Sequence, residues 1–257
     1  MRIYPKLNIF LNILPPLPSG MHPLLSRFVL AYGELYDEME VFEGIEKFEI
    51  RGDFTCALEE NLIYKAKEAL KVEFDEYSGY FESLRVEVKK NIPQGAGLGG
   101  GSANAGAFLC EMARRLDLSK ESLQKIAPKI GSDVSFFVNE YESANVMGCG
   151  EVVNEFVENS HYTYEIFTPK IFCNTRRVYQ AFDRLLRNEE IQSVVKLDFL
   201  SLSSIELLSR FTPIELNDLL LPALSEYPEL NGVREELGEG WFFSGSGSSF
   251  FRVRGLG

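Results

Sequence analysis

The chain has 257 residues with a formal net charge of −12, and 45% of its residues are hydrophobic. This length is enough for one large domain or for two modest domains with substantial cores. The sequence pI of about 4.8 argues against binding to nucleic acid or to an anionic membrane, because the overall field repels both. An anionic ligand would therefore need positive potential that is built locally, from main-chain N–H groups and a few Lys or Arg side chains.

The first segment is predicted to be a half-buried strand, because aliphatic side chains alternate from Ile3 to Ile13. Lys6 and Asn8 lie on the opposite face of this strand. The stretch from Leu7 to Ser26 contains no Lys, Arg, Asp or Glu, but four prolines and two asparagines interrupt it. It is therefore not expected to span a membrane.

The rest of the chain mixes strand and helix patterns without regular β-α alternation, which favours an α+β architecture of two domains. The sequence pattern changes near residue 155, where a polar stretch separates strand-like runs, and this predicts domains at 1–155 and 156–257. In chain order, the further predicted elements are strands at 28–35 and 40–50, a helix at 61–70, a strand at 84–92, a helix at 102–116, a helix capped by Ser119 that ends near Gly131, a buried strand at 133–138, a helix capped by Asn174 or Thr175, helical material at 205–230 and a closing hairpin at 241–253.

The four cysteines are widely spaced and form no C-x-x-C pair, and the chain has only two histidines. A Cys/His zinc site is therefore not expected. This cysteine usage predicts reduced thiols and a cytoplasmic protein.

The stretch PQGAGLGGGSANAG, Pro93 to Gly106, contains six of the 21 glycines. It matches G-x-G-x-x-G, but an alternating strand precedes it and Asp117 lies between two helical patterns, which argues against a dinucleotide-binding fold. It also half-matches the phosphate-loop pattern, with Gly101 at the lysine position. Both patterns bring main-chain N–H groups close to a polyphosphate at a helix N-terminus. The alternative is a flexible turn between a strand and a helix.

Phosphoryl transfer needs an anion cradle, a cation and a group that orients or deprotonates the acceptor hydroxyl. Lys6, with Asn8 beside it, and Asp133 in GSDVSFFV are candidates for the last two functions. Lys6 could instead be a solvated lysine on an exposed strand face, and Asp133 a turn residue or part of a structural ion pair. A carboxylate so close to apolar residues needs a partner, and Lys6 is a candidate for that partner.

Together these features resemble the GHMP kinase superfamily, which includes galactokinase and the homoserine, mevalonate and phosphomevalonate kinases. The resemblance extends nearly end to end. It rests on eight motifs in one order: PKLNIFLNI, GMH, NLIYKA, PQGAGLGGGSANA, GSDVSFF, GCGE, ELNDL and SGSGSSFF. It is strongest to the branch whose members use ATP to phosphorylate the 2-hydroxyl of a cytidine-diphosphate-linked methylerythritol in non-mevalonate isoprenoid synthesis. This implies an N-terminal domain like ribosomal protein S5 domain 2, a ferredoxin-like C-terminal domain and an active site in the cleft between them.

The resemblance also implies roles for individual residues. Asp133 is expected to take the hydroxyl proton, Lys6 to pair with it and steady developing charge, and Asn8 to help hold the acceptor. The expected ATP contacts are Asn61, Pro93, Gln94, Gly95, Ala96, Gly97, Leu98, Gly99, Gly100, Gly101, Ser102, Ala103 and Asn104. Mg²⁺ is expected with ATP, and Ser102 is its candidate ligand.

His22 is expected to read the cytosine edge, and Phe172 to stack on the cytosine face. The chain departs from the family pattern nearby, since Met21 stands where an aromatic usually covers the other face. Methionine sulfur can still pack on a ring. LPSG replaces the usual Arg and Asp-Gly before Met21, and GSDVSFF replaces GADVPFF.

Four alternatives stay open. The chain could be another GHMP kinase, of homoserine or mevalonate type, or a non-catalytic nucleotide-binding protein on the same fold. Phe172 could be a core strand aromatic. The GSGSS sequence at 245–249 could be a plain hairpin turn.

Overall fold

The computed structural model describes residues 1–254. The strands are β1 (Arg2–Ile3), β2 (Lys6–Ile13), β3 (Leu24–Leu30), β4 (Asp37–Phe42), β5 (Glu49–Gly52), β6 (Arg85–Lys89), β7 (Ser143–Gly148), β8 (Val152–Glu155), β9 (Tyr164–Phe167), β10 (Phe242–Phe243) and β11 (Phe250–Val253). The helices are α1 (Leu62–Glu73), α2 (Ser78–Glu82), α3 (Gly100–Leu116), α4 (Lys120–Ile130), α5 (Val134–Asn139), α6 (Thr175–Arg187), α7 (Ser204–Arg210), α8 (Pro213–Leu216), α9 (Leu220–Glu226) and α10 (Glu229–Leu237).

The chain folds into two compact units, and each is made of separate segments. The first unit comprises Met1–Pro5, Glu34–Ile92 and Gly99–Tyr141. The second comprises Lys6–Gly33, Pro93–Leu98 and the described chain from Glu142 onward. The predicted boundary near residue 155 does not coincide with this division, because β2 and β3 form one sheet with β7 and β8. It stays a prediction about the two domains of the family.

The first unit packs five helices with a four-stranded sheet of order β1-β4-β6-β5. The pairs β1–β4 and β4–β6 are antiparallel, and β5 runs parallel to β6. Its core includes Met39, Val86 and Phe108, all fully buried. Helices α3 and α5 approach closely at Gly106, where a methyl group would lie 2.4 Å from Phe137 Cβ. Only glycine leaves room for this packing.

The second unit contains two antiparallel sheets, of order β2-β3-β7-β8 and β10-β11-β9. Its core includes Ile13, Phe182 and Phe243. Both faces of β2 are buried, so the expectation of a half-buried strand is wrong. The polar face of β2 is covered because residues far along the chain pack on it. In the described part of the chain, no helix is both long and apolar enough to cross a membrane.

Most predicted elements are present, with shifted ends. Ser119 and Asn174 cap α4 and α6 as expected, through hydrogen bonds from Ser122 N and Arg177 N. The strand predicted at 133–138 is wrong, because this segment is helix α5 packed against α3 and α4. A short continuous apolar run fits a buried strand and a buried helix equally well, so the pattern alone could not decide.

Candidate active site

Lys6 and Asn8 form a buried polar pair at the start of β2. Lys6 is 4% exposed, and its ammonium donates a 2.5 Å hydrogen bond to Asn8 Oδ1. The ammonium also lies 4.5 Å from the centre of the Phe28 ring. Asn8 Nδ2 donates to Ser26 Oγ at 3.0 Å, which keeps the amide oxygen turned toward Lys6. The alternative of a solvated surface lysine is therefore wrong.

The first part of the glycine stretch pairs with the segments around Lys6 and the C-terminal turn. Lys6 N donates to Leu98 O at 3.0 Å, and Ser249 N donates to Ala96 O at 3.1 Å. Ser244 Oγ donates to Gly97 O at 3.1 Å. The turn Ser244–Ser249 therefore does more than join β10 to β11. It holds residues 96–98 in place beside Lys6.

Gly97 lies very close to the main chain of the C-terminal turn. Its φ is +74°, and a methyl group on its Cα would lie 2.0 Å from the Ser244 carbonyl oxygen. Both facts require glycine, since a side chain would be strained and would collide with main-chain atoms.

Asn217 holds the C-terminal turn through two hydrogen bonds to main-chain carbonyl groups. Its buried amide donates from Nδ2 to Phe243 O at 2.9 Å and to Gly245 O at 3.0 Å. The neighbouring Asp218 accepts from Asn12 Nδ2 at 2.7 Å and from Ile13 N at 2.8 Å. Burial raises the pKa of the Asp218 carboxyl, although these two donors oppose the effect. The ELNDL motif thus links the turn to the end of β2.

The second part of the glycine stretch opens α3 in the first unit. Gly99 precedes the helix with a φ of +68°, and α3 begins at Gly100, two residues before the predicted start. Ala103 N donates to Gly99 O at 2.8 Å, so the amides of residues 100–102 are the N–H groups of the first turn that have no helical carbonyl to bind. Such amides, with the helix dipole, form a site for an anion.

Asp133 lies close in sequence to a segment that packs beside this first turn. A methyl group at Gly131 would lie 4.0 Å from Ser102 Oγ and 3.7 Å from Leu62 Cδ1. Asp133 occupies the N-cap position of α5, and its carboxylate makes no capping bond to that helix. The N-terminus of α5, where Asp133 lies, therefore follows within two residues a segment that contacts the first turn of α3. Lys6 belongs to the second unit, and its pairing with Asp133 stays a prediction.

Asn104 and Asn61 make structural hydrogen bonds. Asn104 donates from Nδ2 to Asp37 Oδ2 at 2.9 Å and accepts from Lys90 Nζ at 2.8 Å, and Lys90 also pairs with Asp37. Asp37 Oδ1 in turn accepts from the amides of Asn91 and Ile92, at 2.7 and 2.8 Å. This network holds residues 90–92, which directly precede the glycine stretch, against α3. Asn61 caps α1 by accepting from Ile63 N at 2.9 Å. The predicted nucleotide contacts of both asparagines stay predictions.

The residues predicted to hold cytosine all lie in the second unit. Met21 and Phe172 are 54% and 63% exposed. The Phe172 ring covers the glycine stretch, because a methyl group at Gly95 would lie 2.2 Å from Phe172 Cε2. Phe172 is therefore not a core strand aromatic. The side chain of His22 is only 6% exposed, and its Nε2 lies 2.8 Å from Asp183 Oδ1.

Comparison with known proteins identifies the family. The model of the GHMP kinases N terminal domain matches residues 61–140. The chain is 39% identical to a 4-diphosphocytidyl-2-C-methyl-D-erythritol kinase of Helicobacter pylori (strain J99 / ATCC 700824), over 98% of this chain and 93% of that protein. It is 43% identical to the kinase of the same name from Sulfurovum sp. (strain NBC37-1), over 97% and 96%.

The chain belongs to the 4-diphosphocytidyl-2-C-methyl-D-erythritol kinase family. A crystal structure of a 4-(cytidine 5'-diphospho)-2C-methyl-D-erythritol kinase is also similar, with a TM-score of 0.76 and 28% identity. That likeness covers 98% of this chain and 89% of the other. The predicted α+β GHMP kinase fold is confirmed.

Four polar residues that support the candidate site are not predicted from the sequence: Asp37, Lys90, Asp183 and Asn217. Asp37, Lys90 and Asp183 are single residues outside the motifs, so no local spacing marks them. Asn217 lies within ELNDL, which the sequence identifies only as a family motif. Buried polar residues of this kind become visible only when their partners are known.

Ser135 stands where the family's GADVPFF has proline, and it gives a testable difference in stability. Its Oγ is buried and has no hydrogen-bond partner among the described residues. An unsatisfied buried hydroxyl costs about 1–3 kcal/mol. We expect Ser135→Ala to raise the free energy of unfolding by about 1 kcal/mol and Tm by about 2–4 °C.

Differential scanning calorimetry would measure the change in Tm. Ser160→Ala is the matched control, because Ser160 is exposed and the same hydroxyl deletion should leave Tm unchanged. A fall in Tm for Ser135→Ala would mean that the hydroxyl has a partner, such as a bound water.

Proposed function

We propose that the protein transfers the γ-phosphate of ATP to the 2-hydroxyl of 4-diphosphocytidyl-2-C-methyl-D-erythritol. This reaction belongs to non-mevalonate isoprenoid precursor synthesis. The observation that supports it most strongly is identity of 37–43% to kinases of this name over 97–98% of the chain. The partners are two small molecules, ATP and the cytidine-linked alcohol, and the place of reaction is the cytoplasm, where thiols stay reduced.

The triphosphate would bind at the glycine stretch. The free amides in the first turn of α3 and its helix dipole supply the local positive potential that a chain of net charge −12 otherwise lacks. The main-chain N–H groups of Lys6 and Ser249 and the hydroxyl of Ser244 donate hydrogen bonds that hold residues 96–98 in a fixed shape. A preformed cradle of this kind positions the γ-phosphate without reorganisation during the reaction.

Asp133 would accept the proton of the attacking hydroxyl, and Lys6 would stabilise the charge that develops on the transferred group. The bond between Lys6 and Asn8 orients the ammonium, and Ser26 orients Asn8. Asn8 would also help to hold the acceptor alcohol. Proton removal by a positioned carboxylate typically contributes about 10²–10⁴-fold to the rate.

Mg²⁺ would enter with ATP. Among the described residues, no group of three or more His, Cys, Asp or Glu side chains could hold a metal ion alone. This fits an ion that is held mainly by substrate phosphates and waters, with one or two protein ligands. The Ser102 hydroxyl, in the first turn of α3, is the ligand that we propose. When bound, the ion neutralises charge on the phosphate oxygens.

Lys6→Met tests the charge of the ammonium. We expect kcat to fall by about a hundredfold or more while the KM for ATP changes little, because the interaction is strongest in the transition state. Steady-state kinetics at saturating acceptor would measure this. Lys65→Met, at an exposed position of α1, is the control for loss of a lysine charge. If only the KM for ATP rises, Lys6 is a nucleotide anchor.

The substrate itself is tested with purified protein, ATP and a set of acceptor alcohols. We expect phosphorylation of the cytidine-linked methylerythritol, and no turnover of homoserine, mevalonate or phosphomevalonate, with products identified by ³¹P NMR. Transfer only to an alcohol without cytidine would overturn the proposed substrate. Tight ATP binding without turnover of any acceptor would favour the non-catalytic alternative.

A further inference from the structure

His22, which is predicted to read the nucleobase, packs against one face of α6. Its ring centroid lies 5.5 Å from that of Tyr179 and 5.9 Å from that of Phe182. Asp183, the next residue on the same face, places Oδ1 2.8 Å from His22 Nε2. Because Tyr179, Phe182 and Asp183 are spaced by three and four residues, one helix face supplies all three contacts. The ring has little freedom to turn.

The contact with Asp183 determines where the imidazole carries its proton. A carboxylate oxygen only accepts hydrogen bonds, so the neutral ring must carry its hydrogen on Nε2 to bond with it. Nδ1 is then an acceptor with a free lone pair. Among residues 1–254, no group forms a hydrogen bond with Nδ1. It is therefore available to a ligand.

An acceptor at Nδ1 distinguishes the two common pyrimidines. Cytosine presents an amino donor at its C4 position. Uracil has a carbonyl oxygen there, so its lone pairs would face the lone pair of Nδ1. A site built around a hydrogen bond rejects an analogue that leaves the site's polar group unpaired.

We propose that Asp183 is a positioning residue that fixes the Nε2–H tautomer of His22 and thereby makes the site select cytosine over uracil. The inference rests on the proposed function, because it requires His22 to face the base of the cytidine-linked substrate. Asp183 does not touch the substrate. It acts through the ring that it orients.

The tautomer can be measured directly, because the chain has only two histidines. In ¹⁵N NMR of the full chain labelled at histidine, we expect His22 Nε2 to be protonated and Nδ1 to have the shift of an unprotonated imine nitrogen. His161 is the comparison in the same spectrum, because its side chain is 91% exposed and its Nδ1, not its Nε2, faces a carboxylate, Glu142 Oε2 at 3.1 Å. An unprotonated Nε2 or a doubly protonated ring in His22 would overturn the proposal.

Selectivity is measured as the ratio of kcat/KM for the cytidine-linked substrate to that for its uridine-linked analogue. We expect Asp183→Ala to lower this ratio at least about tenfold, the equivalent of one hydrogen bond, with the KM for ATP unchanged. Asp183→Glu keeps a carboxylate and should restore most of the ratio. Gln180→Ala, on the exposed side of α6, is the control for a change in the helix and should leave the ratio unchanged.

The outcomes separate this inference from the proposed function. If Asp183→Ala leaves the ratio unchanged while the cytidine-linked alcohol is still phosphorylated, the role of Asp183 is wrong and the function stands. If the unmodified protein does not phosphorylate that alcohol, the function itself is wrong. Equal loss of activity on both substrates, with the His22 tautomer unchanged, would mean that Asp183 is merely structural, and this too would overturn the proposal.

Discussion

Replacing Asp133 by asparagine is expected to lower kcat by at least about a hundredfold, the lower range for loss of a general base. Asparagine has nearly the shape of aspartate but cannot take the hydroxyl proton. ATP binding should be retained, because the proposed anion cradle consists of main-chain amides in the glycine stretch and not of the Asp133 side chain. Single-turnover kinetics and calorimetric titration with ATP would measure the two effects separately.

Two further measurements decide how Asp133 acts. Asp75→Asn removes an exposed carboxylate of the same unit and controls for the change in net charge. A base whose ionised form is needed should give a limb in the pH profile of kcat/KM that Asp133→Asn abolishes. Unchanged turnover would remove Asp133 from the mechanism, whereas a slow variant that keeps this limb would indicate positioning alone.

Gly97→Ala should be the most damaging change within the glycine stretch. The added methyl group would meet the Ser244 carbonyl oxygen at 2.0 Å, at a residue whose φ is +74°. The left-handed backbone alone costs an alanine about 1–2 kcal/mol, and neither main-chain segment can move aside without breaking the bonds from Ser244 and Ser249. We expect a loss of at least about 2 kcal/mol in stability, or about 4–8 °C in Tm. The KM for ATP should also rise.

Gly101→Ala provides the comparison from the same stretch. Its methyl group would meet only Leu62 Cδ1, at 3.7 Å, which is ordinary contact. Gly101 is in helix α3, so alanine should leave Tm unchanged or raise it, through the lower entropy of the unfolded chain. If both variants lose the same stability, the collision at Ser244 is not the cause. Chemical denaturation followed by circular dichroism would measure the difference.

The sequence predicted the elements of the site better than their surroundings. Alternation in the first strand correctly separated Lys6 and Asn8 from the aliphatic face. It could not show that this polar face is buried, because the residues that cover it, 96–98 and 244–249, are remote in sequence. Helix α3 was predicted from the helical spacing of its apolar side chains, which is a local pattern, although it begins two residues earlier than predicted, at Gly100.

Polar contacts between residues that are far apart in the chain could not be predicted for the same reason. Asp183 bonds to a residue 161 positions earlier, and Asn217 to carbonyls 26 and 28 positions later. Helix α5 was assigned to a strand because six apolar-rich residues fit both structures. Its helical state depends on the groove between α3 and α4, which is a property of the tertiary structure.

The bonds that Ser244 and Ser249 make to Gly97 and Ala96 also bear on how the enzyme matures during translation. A nascent chain interrupted before Ser244 would already contain Lys6, Asp133 and every glycine of the stretch, yet it would lack the donors that hold that stretch. Such a fragment should therefore be inert although the side chains that we propose to react have all been synthesised. The chain would become able to catalyse the reaction only after β10 and β11 have paired.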